Sequence, residues 1–308
     1  MRKRIISAVL VLLLLPGLCF SAAAEESPAL EPIEAISVPD GATAVPVYLD
    51  GLLLARAWAW GDISYVCLRP ICARLGVSMD WDGDGKSLTL DLNTLHVEGK
   101  AGRQYFTADG RYIYAPEDWF IRDDELYLPV YALCKLLNLK AAWEEGALML
   151  DGRDCKVLSG GADYYDINFP EEDIYWLSHI IGSEAGIEPM EGKIGVGNVV
   201  LNRVKDPEFP DTVFGVVYDY EHTVQFEPVS RGTIHDEPKP EDIIAAYLVL
   251  EGADTAGECI YFVNPDFGSY WFDNNLDFVM KLGRHNFYVS KGTDNAGTSA
   301  GTDPSPGT

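Results

Sequence analysis

At 308 residues and 47% hydrophobic content, the chain is long enough for two domains that each bury a core. Its formal charge of −25 excludes nucleic acid as a partner, because that binding needs a basic surface against the phosphates. The first segment, Met1 to Ala24, runs from Arg2-Lys3-Arg4 through an apolar stretch, Ile5 to Leu15, to Ser21-Ala22-Ala23-Ala24. That order predicts a secretory signal peptide (residues 1–24) cleaved near Ala24, hence an exported protein; a retained anchor is disfavoured by the short apolar run. Cleavage would remove three of the 23 basic residues and none of the 48 acidic ones, taking the balance to −28.

Residues 25–45 are rich in Glu, Pro and Ala without an apolar period, and read as a linker. From 46 to 154 short alternating strands and two brief helices repeat at an offset of 62 residues. Tyr65 to Val77 matches Tyr127 to Leu139, and each copy reaches a tryptophan, Trp81 or Trp143, before a turn and a short strand. The predicted unit is strand, short helix, hairpin, and two units together bury what one cannot. Cys72 and Cys134 occupy equivalent helical positions, which suits small packing residues. With Cys67, Cys155 and Cys259 they make an odd, irregularly spaced set, read as mostly free thiols, with a disulfide among the first four as the alternative. The run Asp80 to Asp91 imitates the spacing of a calcium loop, but Asp stands where the bidentate Glu belongs, and the matching turn at Glu144-Glu145-Gly146 lacks the acids. A plain hairpin is the expectation, with no metal.

The repeated Tyr strand, the helix ending near Leu75-Gly76-Val77 and the Trp81 hairpin resemble the copper-amine-oxidase-like N-terminal, or stalk, domain over roughly residues 46–153. That resemblance implies no copper, since His96 is the only histidine there. Residues 155–170 form a second linker, soft at Ser159-Gly160-Gly161. The last domain is predicted over 171–290, followed by a Gly-, Ser- and Thr-rich tail (291–308) with too little apolar surface to order itself.

In that domain Ile174, Leu177 and Ile181 mark one helical face, and Glu184 continues it inward. Gly186 is the expected stop, so Glu184 falls in the last turn, where the helix dipole and burial both favour its protonated form. Pro189 opens the next helix, with Met190, Ile194, Gly197, Leu201 and Val204 as its apolar stripe. Glu188 and Glu191 lie at its positive end, where negative charge is favoured. Gly192, Gly195 and Gly197 suggest close packing. Downstream come Asp211 as a cap for 212–217, then Gln225-Phe226, a helix at 240–251, Tyr261-Phe262-Val263-Asn264-Pro265, and Gly283-Arg284-His285.

Together with Glu184-Ala185-Gly186 and Leu201-Asn202-Arg203, this series resembles the SleB/CwlJ-type cell wall hydrolase family of spore cortex lysis, over about residues 172–289. The resemblance implies a mainly α-helical, lysozyme-like domain behind the β-rich stalk, an α+β chain overall. It also implies peptidoglycan as substrate, Glu184 as catalytic acid, and Gln225, Phe226, Tyr261, Asn264 and His285 in the cleft beside Glu188 and Glu191. The implied reaction is lytic transglycosylation of the MurNAc-GlcNAc bond, with one carboxyl serving as acid and then base, and needing no cofactor. A hydrolytic muramidase would use Glu188 or Glu191 to activate water. A non-catalytic wall-binding protein would have no need of an inward Glu184. A Cys259/His285 peptidase is the weakest alternative, since Cys259 borders an apolar run. A cell wall or spore coat protein is the partner expected for the stalk.

Overall fold

The computed structural model describes residues 41–60, 63–92, 95–116, 119–122, 125–137, 139–152, 169–219 and 226–292. The signal segment, residues 25–40 and 155–168 of the two linkers, Cys155, Gln225 and the tail beyond 292 lie outside them.

The N-terminal region is built on β1 (Thr43–Leu49), β2 (Leu52–Trp60), β3 (Ile63–Cys67) and α1 (Leu68–Leu75), then β4 (Ser78–Asp82), β5 (Ser87–Leu92) and β6 (Leu95–Lys100). It continues through β7 (Tyr105–Ala108), β8 (Arg111–Tyr114), β9 (Phe120–Arg122), β10 (Glu125–Pro129), α2 (Val130–Leu137), β11 (Lys140–Glu144) and β12 (Ala147–Asp151). The first strand therefore starts at Thr43, inside the expected linker. Asp50-Gly51 and Asp109-Gly110 each place two residues at positive φ, the turn geometry whose twist suits a two-residue hairpin.

The two repeats are visible as β3-α1-β4-β5 and β10-α2-β11-β12, with β3 and β10 paired antiparallel. They diverge at their hairpins. The second joins a seven-stranded sheet ordered β11-β12-β1-β2-β3-β10-β9, where β12 runs parallel to β1, whereas the first starts a five-stranded sheet ordered β4-β5-β6-β7-β8. The Asp80 to Asp91 run is a regular antiparallel hairpin with Ser78 opposite Asp91, whose carboxylate meets His96 Nδ1 at 2.7 Å. Among the described residues no group of three or more His, Cys, Asp or Glu side chains is placed to hold a metal ion. Cys67, Cys72 and Cys259 are free thiols.

The C-terminal region consists of α3 (Glu171–Ala185), α4 (Met190–Lys205), α5 (Val213–Val217), α6 (Glu227–Arg231) and α7 (Pro240–Leu250), then β13 (Tyr261–Val263), α8 (Tyr270–Asn275), β14 (Leu276–Leu282) and β15 (His285–Ser290). The strands form a sheet ordered β13-β15-β14, so the region carries an antiparallel sheet beside its helices. Of the expected stripe of α4, Ile194 and Gly197 are buried and Met190, Leu201 and Val204 half-buried, while every residue from Gly192 to Val200 is buried, which makes it a central helix. A Cβ at Gly195 would come within 2.8 Å of Leu282 and 2.9 Å of Phe287, and one at Gly197 within 2.8 Å of Val249, so both glycines admit close neighbours. Thr212, rather than Asp211, caps α5, its hydroxyl accepting from Gly215 N at 3.0 Å.

The hairpin β7-β8 packs its outer face on the helices. Tyr114 is buried in the same apolar cluster as Leu177 and Val249, and the Tyr112 and Tyr247 rings lie 5.5 Å apart. Arg111 grips Glu251 with Nε on Oε1 at 2.6 Å and a second nitrogen on Oε2 at 2.5 Å. Arg111→Ala leaves the Glu251 carboxylate, 6% exposed, without that grip. A loss of roughly 2–3 kcal/mol is expected, the scale of a charged hydrogen-bonded pair. Urea unfolding followed by circular dichroism checks it, and an unchanged midpoint would mean the contact carries no stability.

Candidate active site

A cleft of about 1530 Å³ opens where the ends of α3 and α4, the start of α6, β13 and the β14-β15 turn converge, and Glu184 lies in its wall. In α3 the predicted stripe is buried at Leu177 and Ile181 and half-buried at Ile174, but Ser178, His179 and Ile180 are buried as well; Glu184 follows Ile181, half-covered. Burial lifts its carboxyl from 4.5 to about 7, the Glu227 charge adds to the rise, and the Arg203 cation opposes it.

The helix stops at Gly186 as expected, but its electrostatics differ from the sequence reading. Gly186 has right-handed φ and ψ, and glycine is needed there because a Cβ would collide with the Gly182 carbonyl oxygen. The negative end of the helix is also neutralised. Lys193 Nζ donates to Ala185 O at 3.0 Å, and Lys239 Nζ to Gly186 O at 2.8 Å. With two ammonium groups on the last carbonyls, burial rather than the helix dipole leads the causes that keep Glu184 protonated.

Lys193 is itself buried and paired to Asp242 at 2.5 Å, while Asp242 also accepts from Lys239 N at 2.9 Å at the start of α7. One ion pair thus ties α3, α4 and α7 together at the end of the helix that carries Glu184. Further along α4, Asn198 Nδ2 donates to Ala253 O at 2.8 Å, Asn202 Nδ2 to Cys259 O at 3.0 Å, and Arg203 Nε to Ile260 O at 2.8 Å. These bonds fix the segment leading into β13.

Arg203 occupies the floor beside Glu184. Its guanidinium carbon lies 5.2, 5.1 and 5.5 Å from the Phe209, Phe226 and Tyr261 ring centroids, and one terminal nitrogen has no hydrogen-bond partner among the described residues. Burial lowers it to about 10, opposed by Tyr261, Asp219 and Glu184, so it remains a cation at neutral pH. The ionised form of Glu184 therefore has a positive neighbour.

The structure brings Glu184, Glu188, Phe226, Tyr261, Asn264 and His285 to one cleft, and Gln225 lies outside the described residues. Phe226 is buried at the start of α6, with its ring 6.3 Å from that of Phe262. Asn264 Oδ1 accepts from Asp266 N at 3.0 Å, opening a short 3₁₀ turn. His285 is buried edge-on to Phe262, and its Nδ1 has no hydrogen-bond partner among the described residues; burial holds its pKa below the ordinary histidine value, with Glu188 opposing. Glu188 is committed to structure: its Oε2 accepts from Arg284 N at 2.8 Å and anchors the β14-β15 turn. Glu191 is not in the cleft wall at all. It accepts from Gln104 Nε2 at 2.5 Å on the face that meets the N-terminal region. Burial pushes the Cys259 thiol up to about 12, which leaves no thiolate for a peptidase.

Two groups that act on Glu184 were not singled out by sequence reasoning. Arg203 stood only within a matched motif, although a charged residue next to Asn202 in a helix this apolar is a usable signal. Glu227, exposed at the start of α6, becomes relevant only once the fold brings it to the cleft.

Residues 187–288 match the family described as Cell Wall Hydrolase. Residues 56–150 match the Copper amine oxidase N-terminal domain. The spore cortex-lytic enzyme of Oceanobacillus iheyensis is 31% identical over 119 residues, covering 39% of this chain and 42% of the relative. That of Bacillus subtilis (strain 168) is 30% identical over 119 residues, covering 39% and 38%. The chain thus spans about two-fifths of the length of the curated relatives it matches. The catalytic domain of the germination-specific lytic transglycosylase SleB from Bacillus anthracis is 28% identical, covering 40% of this chain and 98% of that one, with a TM-score of 0.37. Glu184 stands just upstream of the Cell Wall Hydrolase match, so its assignment rests on the cleft geometry.

Proposed function

We propose that the chain cuts the glycan strands of peptidoglycan by lytic transglycosylation, with Glu184 as its single general acid and base. The observation that carries this reading is the Glu184 carboxyl, in the wall of a large cleft and lifted to about 7 by burial. Glu184 would protonate the glycosidic oxygen as the bond to the muramic anomeric carbon breaks and an oxocarbenium-like state forms. The resulting carboxylate, now beside Arg203, would take the proton of the muramic 6-hydroxyl as that oxygen closes on the anomeric carbon. The proton returns to Glu184, and the product is a 1,6-anhydro end.

A single-carboxylate mechanism suits this cleft because Glu188 is held by Arg284 N and Glu191 faces Gln104. Hydrolysis has one specific support: Glu227 lines the same cleft, and its charge reaches Glu184. The relatives named as spore cortex-lytic enzymes favour cortex peptidoglycan as the substrate, reached after export. No helix among the described residues is long and apolar enough to cross a membrane. Mass spectrometry of fragments released from purified peptidoglycan tests the proposal. Anhydro ends support it, reducing ends point to hydrolysis through Glu227, and no release from the folded protein sinks the enzymatic reading.

A further inference from the structure

We propose that the arm joining β13 to β14 is an aromatic platform on which pyranose rings of the glycan strand stack as the strand leaves the cleft; this rests on the glycan-cutting reading of Glu184. Phe267, Tyr270 and Trp271 fall within five residues of one another and are 89%, 84% and 58% exposed. Phe267 and Trp271 also line the cleft that contains Glu184, so the rings continue the same surface outward. Neighbouring large rings left open to water beside a cleft mark a contact surface, because their burial is favourable and is not satisfied within the fold.

The arm is pinned in place. Ser269 Oγ donates to Asp273 Oδ2 at 2.7 Å, the Tyr288 hydroxyl donates to Asp273 Oδ1 at 2.8 Å, and the Phe272 ring lies 5.6 Å from that of Tyr288. Asn275 Nδ2 donates to Trp271 O at 2.8 Å, closing the turn beneath the tryptophan. The rings are therefore presented by a fixed scaffold, and a ligand that covers them has little backbone to order.

The chemistry of the arm selects its occupant. Flat π faces accept the C–H face of a sugar ring, while its hydroxyls at the ring edge stay in water. The cleft exceeds the roughly 300–1,000 Å³ of a site for one small molecule, as a several-sugar ligand requires.

The test uses the full chain carrying Glu184→Gln, which holds the strand uncut, and measures binding of soluble glycan strands freed of stem peptides by calorimetry. Adding Phe267→Ala and Trp271→Ala is expected to weaken Kd by about tenfold or more, with the circular dichroism spectrum unchanged. Trp271→Tyr with Phe267→Tyr, which keeps the rings, should bind like the parent. An unchanged Kd in the alanine pair overturns the platform. So does a dimer in sedimentation velocity that the alanine pair dissolves without loss of glycan binding, since the rings would then join two copies. Because binding is read without turnover, failure of the platform is separable from failure of the glycan-cutting reading, which shows as no fragment release from the parent protein.

Discussion

Replacing Glu184 by Gln is expected to slow glycan cleavage by about 10²–10⁴, the usual contribution of a positioned general acid, while making the fold more stable above neutral pH. The first effect follows from chemistry: an amide of the same shape fills the same place and has no proton to give. The second follows from linkage. Folding raises the carboxyl from 4.5 to about 7, so the fold favours the protonated form; that contribution is fully present below about pH 4.5 and is lost as pH rises through about 7. Above that, the native state carries a buried carboxylate at a cost of about 3 kcal/mol at most, less whatever the cleft water recovers. Gln bears no such charge. Thermal melts of the two proteins above pH 8 should therefore favour the variant, while at pH 4 they should nearly coincide. A variant that is inactive because it is unfolded, or less stable at high pH, would contradict the placement of this side chain.

Lys193→Met is expected to destabilise the protein by about 3–5 kcal/mol, the cost of leaving one member of a buried ion pair unpartnered. Lys193 and Asp242 are 6% and 2% exposed, and no other cation is recorded on the Asp242 carboxylate among the described residues. The same lysine holds the Ala185 carbonyl, so its loss also frees the turn that carries Glu184. Against a typical domain stability of about 5–15 kcal/mol this is a large fraction. Equilibrium urea unfolding measures it. Lys193→Met combined with Asp242→Asn should lose less than the sum of the single changes, because each single change strands the other group. Additive losses would mean that the two side chains do not interact.

Much of the fold is local in origin and was legible for that reason. The repeat announces itself because Tyr65 and Tyr127 start strands whose helices and tryptophans recur in step, and α3 because Leu177, Ile181 and Glu184 follow helical spacing. What could not be read depends on partners distant in sequence. Nothing local says that the first hairpin starts a second sheet while the second hairpin pairs with β1, a strand nearly a hundred residues earlier. Periodicity gave α4 one face, yet it is buried all round, and its glycines were the better guide. Glu191 has the same helix-terminal setting as Glu188, but one faces Gln104 of the N-terminal region and the other the turn after β14, a difference of less than one helical turn. The N-terminal region itself, expected as a separate stalk, contributes Tyr114 to the helical core because the outer face of β8 is aromatic.

The pH dependence of kcat/KM on soluble glycan strands tests the central claim, that Glu184 must be protonated to start the cut. The free enzyme should lose activity on the alkaline side with an apparent pKa near 7. In Glu227→Gln that limb should move to lower pH, since a negative charge that raises the Glu184 carboxyl has been removed. A rate that climbs through pH 7 to a plateau, and is indifferent to Glu227→Gln, would contradict the assignment of Glu184 as the acid.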